Sequence, residues 1–138
     1  MKLLDTNVVI YAIGEPHPYR GPCRRLFQDI SGGNDDYLID VELLQEVLYV
    51  YSYRAERAQA LQVFDRLLGI FPDPLPIGRE EAVKARELLG KYGHLSPRDA
   101  VHLAVALTLG LEGVVTADRG MAQVTEVTCF DPRQLYPS

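Results

Sequence analysis

Met1-Lys2-Leu3-Leu4-Asp5-Thr6-Asn7 opens the chain, and its last three residues decide how the first four are read. Leu3 and Leu4 form an apolar run cut off by an acid, the pattern of a short buried strand that stops at Asp5. Thr6 and Asn7 are both good helix N-caps, and Val8-Val9-Ile10-Tyr11 follows them. Asp5 therefore falls at the carboxyl end of a central parallel strand, where open α/β sheets put their ligands. Gly113-Val114-Val115-Thr116-Ala117-Asp118-Arg119-Gly120 repeats the design: an apolar run, an acid, a turn. Two strands that both end in Asp predict one shared acidic site.

A length of 138 residues implies one domain, residues 1–138, with room for a core. No apolar run approaches the length of a membrane span, and the N-terminus lacks a signal-peptide pattern, so the cytoplasm is the expected compartment. Cys23 and Cys129 are isolated and read as reduced thiols. The formal charge of -5 argues against a non-specific duplex binder, which would be basic. It does not argue against a nucleic-acid enzyme, because cations in an acidic site offset the count.

Between the two key stretches, strands and helices alternate. Gly14-Glu15-Pro16-His17-Pro18 is a loop by composition. Tyr19 to Ile30 reads as an amphipathic helix, and Tyr37-Leu38-Ile39 as a short strand closed by Asp40. A helix is expected from Val41 to about Tyr53, and a second helical segment from Arg54 to Ile70, as a hairpin or a bend. Pro72, Pro74 and Pro76 interrupt the pattern, and Leu75 and Ile77 suit an edge strand, where proline is tolerated. A helix from Arg79 to Tyr92 follows. Ser96-Pro97-Arg98-Asp99 opens the next, which stops at Gly110. The Gly113–Thr116 strand and a last strand from Val127 to Phe130 complete a parallel α/β sandwich.

Asp5 can cap a helix, but Thr6 and Asn7 already offer caps, and a carboxylate at the end of a buried strand is costly. Asp118 follows its strand in the same way. Asp99 is the N3 residue of a capping box with Ser96, and the helix behind it is apolar on almost every side. Its N-terminus therefore opens at the sheet edge and brings one carboxylate to the cleft. Glu42 and Glu46 lie on neighbouring parts of one helix face; Glu46 is at the margin of the apolar arc, and position alone only favours it. Asp40 reads as the N-cap of that helix, His102 as a packed core histidine, and His17 and His94 as loop residues.

Carboxylates gathered in this way repel, by roughly 4 kcal/mol for a pair ~4 Å apart at an effective dielectric near 20. Protons or cations must neutralise them. Hard oxygen ligands without Cys or His select Mg²⁺ or Mn²⁺. The chemistry that follows is phosphodiester or phosphomonoester hydrolysis.

Leu3-Leu4-Asp5-Thr6-Asn7, Leu44-Gln45-Glu46-Val47, Asp99-Ala100-Val101-His102-Leu103-Ala104 and Val115-Thr116-Ala117-Asp118 follow one another in the order and spacing of the PIN domain. Over its whole length the chain resembles small bacterial PIN-domain ribonucleases of the VapC toxin type. The resemblance implies a three-layer α/β/α sandwich around a five-stranded parallel sheet in the order 3-2-1-4-5. It implies a metal-dependent endoribonuclease with Mg²⁺ or Mn²⁺ as cofactor, RNA as substrate, a homodimer and an antitoxin partner. Carried over, Asp5, Glu46, Asp99 and Asp118 are the metal-binding and catalytic acids, supported by Asn7 and Thr116, and Glu46 is chosen over Glu42. Many relatives carry a further acid shortly after the fourth; here that region reads Met121-Ala122.

Competing readings belong to other classes. A Mg²⁺-dependent phosphatase of the haloacid-dehalogenase kind needs a second Asp where this chain has Asn7. A receiver-type signalling domain needs an acidic pair at the first strand and a late lysine, and neither is present. A non-catalytic PIN-fold module that binds RNA or protein would carry the same scaffold. For association, Tyr49, Tyr51 and Tyr53 beside Arg54 and Arg57 suggest a self-interaction face, since Tyr and Arg are enriched at interfaces.

Overall fold

The structure is a computed structural model that describes residues 1–137. Strand β1 (Lys2–Leu4) leads into helix α1 (Thr6–Ile13), and α2 (Arg20–Ser31) returns to β2 (Tyr37–Leu38). Helices α3 (Val41–Tyr53) and α4 (Arg57–Ile70) form a hairpin, followed by α5 (Arg79–Lys91) and α6 (Pro97–Thr108). Strand β3 (Gly113–Val115), a short 3₁₀ turn, strand β4 (Cys129–Phe130) and α7 (Pro132–Leu135) end the described chain. The strands are all parallel and lie in the order β2-β1-β3-β4.

The period of two along each strand builds the layers. Leu4, Tyr37 and Val115 face one core with Val8, Leu26, Leu43 and Val47, under helices α1 to α4. Leu3 and Val114 face the opposite core with Leu88, Leu103 and Val105, under α5 and α6. A sheet buried on both faces needs near-continuous apolar strands, which is why Leu3-Leu4 and Val114-Val115 do not alternate with polar residues.

The sheet has four strands, not the five expected. The segment expected as the third strand is reduced to a single parallel bridge between Leu75 and Asp40. The Leu75 N–H donates to the Ile39 carbonyl at 2.9 Å, and its carbonyl accepts from the Val41 N–H at 3.0 Å. Pro74 and Pro76 have no N–H to extend the ladder. The hairpin is sharper than a bend, because Ala55 takes a left-handed φ of 59° between α3 and α4. The α7 helix was not expected; Asp131 caps it by accepting from the Arg133 N–H at 2.8 Å.

Gly113 sits where β3 meets β4. A Cβ there would lie 2.0 Å from the Thr128 carbonyl oxygen and 2.9 Å from the Phe130 ring. Gly113→Ala must push the two strands apart, and is expected to lower stability by about 1–3 kcal/mol. A urea midpoint unchanged from the parent would contradict this.

Candidate functional site

All four strands run toward the same edge, and polar residues stand at or near their ends: Asp5, Thr116 and Asp131 directly after β1, β3 and β4, and Asp40 one residue further on after β2. Asp5, Glu46, Asp99 and Asp118 all line one cleft of about 360 Å³ at that edge, together with Asn7, Tyr11 and Arg54. They come from the end of β1, the middle of α3, the first turn of α6 and the loop after β3. Glu42 is not among the lining residues. Among the described residues, no group of three or more His, Cys, Asp and Glu side chains is already drawn together to hold an ion.

Three of the four acids are held by a neighbour. Asp5 is 3% exposed, and its Oδ2 accepts from the Thr116 hydroxyl at 2.7 Å. That hydroxyl oxygen in turn accepts from Asn7 Nδ2 at 3.1 Å and from the Asp118 N–H at 3.0 Å. One proton and two lone pairs are thus all used, so Thr116 has a single orientation. Asn7 completes the clasp by accepting from the Ala117 N–H at 3.3 Å. Glu46 Oε1 accepts from the Thr6 hydroxyl at 3.0 Å. Asp118 Oδ1 accepts from the Gly120 N–H at 2.8 Å, which fixes the turn that carries it.

Thr6 and Asn7 therefore do not act as the helix caps expected from their residue types. Asp5 occupies the N-cap position of α1 and makes no side-chain cap bond. Both neighbours are turned across the sheet edge toward the acids. At α6, the Ser96 hydroxyl accepts from the Asp99 N–H at 3.2 Å, as the capping reading requires. The Asp99 carboxylate itself lines the cleft.

The electrostatics follow from burial and crowding. Burial, then the charges of Asp5 and Asp118, push the Asp99 carboxyl up to about 6. Burial also raises Asp5, against the opposing pull of His102 and the Thr116 hydroxyl. Glu46 is pushed up by burial, yet bonding and charge from His102 and the Thr6 hydroxyl bring it below its ordinary value. The donor set is carboxylate oxygen, without thiolate, and burial together with the neighbouring charges makes one member, Asp99, costly to ionise. Hard divalent cations fit such a set.

Two residues that the sequence left as structural stand directly behind this cleft. His102 is fully buried, with Nδ1 2.7 Å from Asp40 Oδ2. Its Nε2 lies 3.7 Å from Asp5 Oδ1 and 3.6 Å from Glu46 Oε1. Asp40 does cap α3 as expected, accepting from the Leu43 N–H at 2.9 Å, but only through Oδ1. A polar side chain on a helix otherwise apolar on every side was the available signal for His102.

An α/β sandwich with acids gathered at the carboxyl edge of a parallel sheet belongs to the class of open α/β folds that carry their site at that edge. Within it, residues 2–127 match the PIN domain family model, and the chain belongs to the PIN domain family. Ribonuclease VapC13 of Mycobacterium tuberculosis is 35% identical over 120 residues, covering 87% of this chain and 92% of that protein. Ribonuclease VapC7 of the same organism is 31% identical, covering 96% of this chain and 92% of that protein. Among solved structures, FitAcB from Neisseria gonorrhoeae has a TM-score of 0.73 at 20% identity, covering 96% of this chain and 98% of that one. A toxin–antitoxin complex from Klebsiella pneumoniae has a TM-score of 0.68 at 19% identity, covering 96% of this chain and 98% of that chain. At these identities the structural likeness speaks to the fold.

Proposed function

We propose that this chain is a metal-dependent endoribonuclease, the toxin of a toxin–antitoxin pair. The observation that carries this reading is the convergence of Asp5, Glu46, Asp99 and Asp118 on one cleft from four separate elements. The relatives named ribonucleases support RNA as the substrate. Asp5, Glu46, Asp99 and Asp118 would hold Mg²⁺ or Mn²⁺. A bound divalent ion supplies Lewis acidity toward phosphate oxygens and lowers the pKa of a water. The chain's own part is to orient and to carry charge. Thr116 and Thr6 fix Asp5 and Glu46, and Asp118 is fixed by its turn. Arg54 lies in the cleft wall, where its guanidinium suits a phosphate. Asn7, tied to Thr116 and Ala117, is a clasp and not the second acid of a phosphatase. The test is incubation of a mixed RNA pool with Mg²⁺, with Mn²⁺ and with EDTA. Cleavage in the metal samples alone supports the reading, whereas RNA binding without turnover favours a non-catalytic PIN module.

The antitoxin reading has its own support in a second groove of about 530 Å³ between α1, α2 and α4. Val9, Ile13, Phe27, Leu67 and Ile70 form its apolar lining, and Arg24 and Arg66 also line it. An amphipathic segment with acidic flanks would fit such a groove.

We also propose a homodimer, with a correction to the expected face. Tyr51 is 3% exposed and belongs to the core, so it cannot contribute. Tyr49 and Tyr53 are 48% and 82% exposed and stack on each other at 6.1 Å, with the Arg98 guanidinium 4.2 Å over Tyr49. This Tyr–Arg patch is the surface a second copy would cover. Light scattering at micromolar concentration should give the mass of two chains, and Tyr53→Glu should give the mass of one. A single-chain mass for the parent would contradict the dimer.

A further inference from the structure

Behind the acidic cleft lies a run of buried polar groups that neither the fold nor the four acids require. Asp40 and His102 are fully buried and Thr6 is 1% exposed. An N-cap needs one oxygen, and Ser would serve α3 as well as Asp. A leucine would fill the place of His102 without taking a polar ring out of water. Burying ionisable groups carries a desolvation cost that good geometry only partly offsets. The geometry here is good, and donor accounting fixes its two ends.

A carboxylate can only accept. Asp40 Oδ1 takes the Leu43 N–H. Its Oδ2, 2.7 Å from His102 Nδ1, must therefore accept a proton carried on Nδ1. At the other end, Thr6 has one hydroxyl proton, and it goes to Glu46 Oε1 at 3.0 Å. His102 Nε2 stands 3.3 Å from the same hydroxyl oxygen, so the ring and the hydroxyl are hydrogen-bond partners. The chain runs from Asp40 through His102 and Thr6 to Glu46, and each link fixes the orientation of the next.

We propose that Asp40, His102 and Thr6 form a hydrogen-bond chain that holds the Glu46 carboxylate in the cleft, making Asp40 and His102 positioning residues for the acidic site. This rests on the reading of Glu46 as a metal ligand. It adds that the ligand is set through a ring on α6 whose own anchor, the cap residue of α3, lies 62 positions from it along the chain. Outer partners of metal ligands typically change metal affinity or activity by about 10- to 100-fold when removed.

The test uses the whole protein and two measurements. In the first, Mn²⁺ binding is followed by the electron paramagnetic resonance of the free ion, with melting in EDTA to report folding. Thr6→Val keeps the shape and removes the hydroxyl; Asp40→Ser keeps a cap and releases His102. Both should weaken Mn²⁺ binding by about 10-fold or more, and Thr6→Ser should restore it to within about threefold of wild type. Because Thr6→Val and Thr6→Ser are small changes, the comparison stands even if Asp40→Ser fails to fold. In the second, long-range ¹H–¹⁵N spectra of the metal-free protein at neutral pH should show a proton on His102 Nδ1, the nitrogen that faces Asp40. Wild-type affinity in folded Thr6→Val, or an unprotonated Nδ1, overturns the chain while leaving the metal site standing. Wild type with the His102 signature but no saturable Mn²⁺ binding overturns the metal reading, and the positioning role with it.

Discussion

Replacing Asp5 by Asn is expected to lower Mn²⁺-dependent RNA cleavage by at least about 100-fold, since a bound ion is worth several kcal/mol to phosphoryl chemistry. The substitution changes charge with little change of shape. The oxygen of Asn can still accept from Thr116, whose hydroxyl lies 2.7 Å from Asp5 Oδ2. A loss of activity therefore reports the missing ligand charge and not a collapsed clasp, provided the melting curve stays cooperative. Cleavage within a few-fold of wild type would remove Asp5 from the chemistry.

The second large effect is on stability and comes from Asp99. Its carboxyl is moved from an ordinary 3.8 to about 6 by burial and by the charges of Asp5 and Asp118. A carboxyl whose folded-state pKa lies above its unfolded value destabilises the fold wherever it is ionised. That cost is complete above about pH 6 and fades as pH falls toward 3.8. In EDTA, wild type should therefore gain stability from this group between pH 7 and pH 5, and Asp99→Asn should lack that gain. At pH 7 in EDTA, Asp99→Asn should melt higher than wild type. The group is partly exposed, so solvent screening reduces the effect to about 1 kcal/mol, or roughly 3–5 °C. Excess Mn²⁺ should reverse the order, because an ion that binds only the folded wild type adds about 2.7 kcal/mol at a hundredfold excess over Kd. Asp5→Asn should gain less than Asp99→Asn in EDTA, since its charge also meets His102 at 3.7 Å. Two melting curves with the same pH profile in EDTA would contradict the repulsive-cluster reading.

Three of the four acids were legible because each follows a break in an apolar pattern; Glu46, in the middle of α3, was chosen over Glu42 only through the family resemblance. Asp5 and Asp118 come after strands too short and too apolar to be anything but buried, and Asp99 follows the Ser96-Pro97 start of a buried helix. The α3 boundaries, Val41–Tyr53, emerged as expected because Asp40 caps the helix. What periodicity could not carry is partnership. Thr6 and Asn7 look like caps by type, and only the pairing of β1 with β3 turns them toward Glu46 and Thr116. Tyr51 shares its spacing with Tyr49 and Tyr53 but points into the core, because α4 folds back over α3 through Ala55. Leu75 and Ile77 suit a strand by side chain, yet Pro74 and Pro76 leave Leu75 alone to pair. His102 was legible only as a polar exception on an apolar helix; its role depends on Asp40, which is distant in sequence.

The claim that the four carboxylates form one divalent-cation site is tested most directly by titrating the metal-free protein with Mn²⁺ and measuring free ion by electron paramagnetic resonance. Wild type should bind saturably, and Asp5→Asn, Glu46→Gln, Asp99→Asn and Asp118→Asn should each weaken that binding while remaining folded. Wild type without saturable binding, or four variants that all bind as wild type does, would contradict it.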